Sequence, residues 1–102
     1  MTTILLDAQD MTVLRYIHSS KLGALPSYRD IAREAGLANG QQVDTVLDHL
    51  IACGYIRQVC CGDLVGLFVR LPGDVGLGKR LTTWTGKSWR DLMTGGTRAR
   101  TN

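Results

Sequence analysis

Histidine, cysteine and glutamate are scarce in this 102-residue chain: two, three and one, respectively. Each scarcity closes a line of chemistry. Two of the three cysteines, Cys60 and Cys61, are adjacent, which makes a poor disulfide framework and fits a reducing cytosol. With Cys53 they form no C-x-x-C spacing, and neighbouring strand residues point to opposite faces, so joint zinc ligation is disfavoured. Neither His18 nor His49 has a carboxylate at a spacing that suggests a dyad. Asp48 adjoins His49, but adjacent helical residues do not face each other. The stretch Gly86-Lys87-Ser88 has the form of a P-loop's end, yet the loop's first glycine would fall at Leu81, so the phosphate cradle is missing. No cofactor is expected, and no enzyme. No apolar run approaches the ~18 residues of a membrane span. The segment Met1–Asp7 lacks the basic start and apolar length of a signal peptide. The expectation is a cytoplasmic protein with no membrane association.

What is present suits a globular domain: 44% of residues are hydrophobic and 21% charged. The net charge of +3 is unevenly distributed. Residues 1–71 carry six basic side chains against seven acidic ones, a net of −1, whereas residues 72–102 carry six against two, a net of +4. Pro72-Gly73 opens a glycine-rich stretch at the same point. The sequence therefore reads as a compact domain over 1–71, followed by a basic extension over 72–102.

Within 1–71 the order of elements is three helices and a hairpin. Asp7 is placed to N-cap a first helix, with Asp10 as capping-box partner. Pro26-Ser27 starts a second, short helix, N-capped by Ser27 and closed by Gly36 in the left-handed conformation. Asn39 caps a third helix with an apolar stripe of Val43, Val46, Leu47 and Leu50, ended by Gly54. The runs 55–61 and 64–71 read as strands joined by Gly62-Asp63, a two-residue loop suited to a type II′ hairpin.

Two helices joined by a tight turn, followed by a hairpin, describe a winged helix-turn-helix of the α+β class. With its stripe inward, the third helix exposes Gln41, Gln42, Asp44, Thr45, Asp48 and His49. Amide side chains near a helix N-terminus suit base reading, since Gln and Asn bond adenine bidentately.

The stretch Pro26-Ser27-Tyr28-Arg29-Asp30-Ile31-Ala32-Arg33-Glu34-Ala35-Gly36-Leu37 resembles the second helix and turn of the DNA-binding domain of LexA-type repressors, and 39–56 is similar to their recognition helix and entry into the wing. The resemblance covers residues 5–71. It implies base-reading residues at Asn39, Gln41, Gln42, Asp44 and Thr45, and phosphate contacts at Ser27, Tyr28, Arg29 and Arg57. The wing tip, Cys61-Gly62-Asp63-Leu64-Val65, departs from the pattern, being apolar and acidic where such a wing is polar or basic. About 30 residues follow the wing, too few for the family's self-cleaving domain, so self-cleavage is not expected of this chain.

The extension holds both tryptophans. Ser88-Trp89-Arg90-Asp91 has capping-box form and predicts one short helix over 88–94, with Trp89, Leu92 and Met93 on one face. Three readings stay open: the extension packs on its own domain, joins a partner or second copy through Trp84, Trp89, Leu92 and Met93, or grips nucleic acid through Lys79, Arg80, Lys87 and Arg90. Cutting after Leu71 is expected to leave a folded winged helix with at least tenfold weaker DNA binding. The functional expectation is a small regulator, a repressor, of bacterial or phage type that binds double-stranded DNA. The alternative is a winged-helix module that docks on a protein, which the −1 charge of residues 1–71 favours.

Overall fold

The computed structural model describes residues 6–85 and 89–93. The first helix, α1 (Ala8–His18), opens with a reciprocal cap: the Asp7 carboxylate accepts from the Asp10 amide at 2.7 Å, and the Asp10 carboxylate from the Asp7 amide at 3.3 Å. Ser27 caps α2 (Tyr28–Ala35) by accepting from the Asp30 amide, and Asn39 caps α3 (Gly40–Ala52) by accepting from the Gln42 amide. Caps of this type are each worth about 1 kcal/mol. All three were legible from residue types at the correct offsets. Gly36 ends α2 at φ +71, a conformation cheap only for glycine, and so turns the chain into α3 within four residues. Unlike α2, α1 ends without a glycine: Ser19 is its C-cap, in the right-handed helical conformation.

Strands β1 (Ile56–Cys61) and β2 (Leu64–Val69) pair antiparallel with Ile56 opposite Val69 and Cys61 opposite Leu64. The expected two-stranded hairpin is incomplete, however. A third strand, β3 (Lys79–Trp84), pairs antiparallel with β2, giving the order β1-β2-β3. The architecture is α+β, with three helices against a three-stranded antiparallel sheet and one further turn of helix, α4 (Trp89–Met93), inside the expected 88–94. Segment 79–84 carries little strand signal of its own, since Leu81 and Trp84 are its only apolar members and do not alternate. Non-local pairing makes it a strand.

The core lies between the helices and one sheet face. Val13, Leu14 and Ile17 of α1, Ile31 of α2 and the α3 stripe Val43, Val46, Leu47 and Leu50 meet Ile56, Leu67, Val69 and Leu81 from the sheet. Leu81 is fully buried, as is Met93, and Trp89 is 7% exposed, so residues from beyond Leu71 belong to the same core. Three hydrogen bonds fasten β3 to the end of α1 and the loop after it. The Gly23 amide donates to the Leu81 carbonyl at 2.6 Å, and the Lys79 ammonium donates to the His18 and Ser20 carbonyls at 2.8 Å each. The latter places a cation on the negative end of the α1 dipole.

Gly78 permits the approach to β3. At φ +85, an added Cβ would stand 2.5 Å from the Val69 carbonyl oxygen and 2.8 Å from the Arg70 Cα. Gly78→Ala is therefore expected to cost about 2 kcal/mol or more, from left-handed strain plus a backbone clash. Urea unfolding measures it. A cost below 0.5 kcal/mol would show that 72–78 relaxes freely without disturbing β3.

Candidate nucleic-acid interface

The starts of α2 and α3 lie side by side. A Cβ on Gly40 would sit 3.5 Å from the Tyr28 ring, ordinary van der Waals contact, and the Tyr28 hydroxyl donates to the Asp44 carboxylate. Burial, followed by the bond to Asp44 and that residue's charge, pushes the Tyr28 phenol well above its usual range. Tyr28 thus remains a proton donor at any physiological pH. Its hydroxyl is committed to Asp44, whereas Arg29 is exposed and forms no ion pair among the described residues. The Ser27 hydroxyl is occupied as the α2 cap.

Along the first turns of α3, hydrogen-bonding capacity is divided between the helix and solvent. Asn39 caps, and Gln42 reaches back so that its side-chain oxygen accepts from the Ala38 amide at 2.8 Å. The Thr45 hydroxyl donates to the Gln41 carbonyl at 3.1 Å. Gln41 is exposed, and its side chain makes no hydrogen bond to the described residues. Of the five expected base-reading residues, Asn39, Gln41, Gln42 and Thr45 are exposed together at this end of α3, while Asp44 is half-buried.

Asp44 is half-buried because α4 reaches it. The Arg90 guanidinium bonds the Asp44 carboxylate at 2.8 Å and that of Asp48, while lying 5.4 Å from the centre of the Trp89 ring. Asp44 and Asp48 are like charges one turn apart on α3, an arrangement that is mildly destabilising by itself and repels phosphates. One guanidinium now bridges them. On α2, Arg33 pairs with Asp30 at 2.7 Å. Every aspartate on this surface thus has an arginine beside it.

The expected contacts from the extension have other positions. Lys79 is bound to the end of α1, and Arg90 to Asp44 and Asp48. Arg57 and Arg80 are exposed on the sheet face turned away from the helices, so Arg57 is not grouped with Ser27, Tyr28 and Arg29. Lys87 lies outside the described residues. Trp89 and Met93 are buried in the chain's own core and Trp84 packs against it, leaving Leu92, at 36% exposure, as the surface member of that set. A helical pitch explains the split: residues 89 and 93 are one turn apart and share a face, and Leu92 falls at its edge.

One polar pair had no signal in the sequence. His49 Nδ1 lies 2.8 Å from the carboxylate of Asp10, which is 4% exposed. The two are 39 residues apart, and no local pattern could have joined them. The pair ties the α1 cap to the last turn of α3. Among the described residues no three His, Cys, Asp or Glu side chains are grouped to hold a metal ion, and no helix is long and apolar enough to cross a membrane. Comparison with protein-family models, with curated proteins and with solved structures finds no match to this chain.

Proposed function

We propose that this chain is a winged helix-turn-helix regulator that binds double-stranded DNA, with α3 as the recognition helix and the β1–β2 hairpin as the core of its wing. The observation that carries the reading is the junction of the α2 and α3 N-termini. There Gln41 is exposed and unspent beside Asn39 and Thr45, and Arg29 stands on the adjoining helix end. Recognition helices present their N-terminal residues to base edges, and neighbouring groups fix register on phosphates. The pairing of Asp44 and Asp48 with Arg90 supports the same reading, since it removes much of the repulsion that an acidic α3 would meet at a polyanion. Repression follows from occupancy of an operator.

Selection from a random duplex pool, followed by titration with the enriched site, tests the proposal. Gln41→Ala is expected to cost about 1–3 kcal/mol on the selected site and almost nothing on random duplex. Arg29→Ala is expected to weaken both alike and to lower the salt slope by about one. Gln42→Ala behaves differently: its side chain caps the turn, so the loss appears as about 0.5–1 kcal/mol of stability. Failure of the full chain to bind any duplex at low salt overturns the proposal, and the α2–α3 surface is then read as a protein-docking face.

A further inference from the structure

The sheet has a second face, and it is built for a ligand. Ile56, Leu67, Val69 and Leu81 turn toward the helices, so alternation turns Arg57, Val59, Cys61, Leu64, Gly66 and Phe68 the other way, and the register shift opposite Leu67 and Phe68 sets Arg80 and Thr83 beside them on either side of Leu81. Register arranges these in rows across the strands. Arg57, Phe68 and Arg80 are direct neighbours in one row, Val59, Gly66 and Thr83 form the next, and Cys61 with Leu64 closes the end. An open groove runs over this face between Leu64 and Arg80. Its floor is Gly66, and the Phe68 ring leans into the space a side chain there would take, with Cε1 3.1 Å from the position of an added Cβ. Leu64 is 52% exposed at one end. At the other end Arg57 and Arg80 are exposed, and neither forms an ion pair among the described residues.

We propose that this face docks a short acidic and apolar segment of a partner protein. The surroundings select the chemistry. Two guanidiniums flanking an aromatic ring match two carboxylates, which arginine bonds bidentately. The row beside them sets Val59 and Thr83 about a glycine floor, which leaves room for a bulky apolar side chain. Arg57 and Arg80 sit on strands either side of β2, about 10 Å apart at the usual strand spacing. An extended peptide spans that distance in about three residues, so the ligand pattern is two acidic residues about three apart with an apolar residue between or beside them. A second copy of the chain fits less well. Three strands of six residues present only about 300 Å² of face, against about 800 Å² per partner in a stable pair, and a copy would bring its own arginines. The inference does not rest on DNA binding, because it uses the sheet face that turns away from the helices.

The experiment pans the biotinylated full chain against a displayed library of random twelve-residue peptides. The enriched synthetic peptide is then titrated by fluorescence anisotropy, and its contacts are mapped by amide shift changes. Enriched sequences are expected to carry the acidic–apolar pattern, with shifts confined to β1, β2 and β3. The double variant R57A/R80A and the single variant Leu64→Asp are each expected to lower affinity at least tenfold. Arg15→Ala, on the exposed side of α1, is expected to leave it unchanged. All three replace exposed side chains, and far-ultraviolet circular dichroism verifies that each is folded. Peptides without acidic residues, equal affinity in R57A/R80A, or shifts elsewhere would overturn the proposal. So would displacement of the peptide from this face by twelve-residue oligothymidine, or a dimer in sedimentation that Leu64→Asp dissolves.

Discussion

A chain ended after Leu71 is expected to be unfolded at 25 °C. The cut removes Leu81, Trp89 and Met93 from the core, together with the strand that pairs with β2. Losing one buried leucine or methionine side chain costs about 2–5 kcal/mol, and a buried tryptophan about 3–5. Three such losses are comparable to the whole 5–15 kcal/mol that holds a domain of this kind together. The exposed underside of β2 adds an unpaired edge and an aggregation hazard. Circular dichroism and size-exclusion chromatography of the 1–71 fragment check the result. A cooperative melt of that fragment would show that β3 and α4 only decorate a self-sufficient domain, as charge and composition alone suggest. A cut after residue 94 keeps Leu81, Trp89 and Met93, and is expected to remain folded.

Replacement of Arg90 by alanine is expected to lower duplex affinity at least tenfold at low salt. The change strips the shared cation from Asp44 and Asp48 and leaves two carboxylates on the face of α3 that would enter the groove. Like-charge repulsion at a polyanion surface is weakly screened when salt is low, so the loss should shrink as ionic strength rises. A cycle separates this route from direct phosphate contact. In a D44N/D48N background, Arg90→Ala is expected to cost almost nothing if the arginine acts by neutralising the two aspartates. A loss of the same size in both backgrounds would mean that Arg90 touches the DNA itself. The stability of each variant is measured in parallel, since Arg90 also packs on Trp89. The exposed parts of the pair contribute little to folding, as surface ion pairs generally do.

The tests divide along the two surfaces of the molecule. Gln41 and Arg29 report on the helical side, Arg57 and Arg80 on the sheet side, and Arg90 on the link between the extension and α3. Loss of one function without the other is the expected pattern, because the two faces share the core but no side chain.

By itself the sequence determined the local events of this chain. Asp7, Ser27 and Asn39 announced three helix starts because a cap needs only one side chain and an amide three residues away. Gly36 announced the sharp exit from α2, and Gly62-Asp63 the hairpin, since both depend on backbone freedom at a single position. The α3 stripe was equally plain from its spacing, and with it the exposure of Gln41. The tertiary structure decided what those elements do to one another. Nothing near residue 81 marks it as a core leucine; β2 and Gly23, distant in sequence, make it one. Nor could spacing show that Arg90 would lie across Asp44 and Asp48, 46 and 42 residues away, or that His49 would meet Asp10. Charge counted along the chain gave an acidic domain and a basic extension. Folding mixes the two, because ion pairs form by proximity in space, where one arginine from the end of the chain answers two aspartates in its middle.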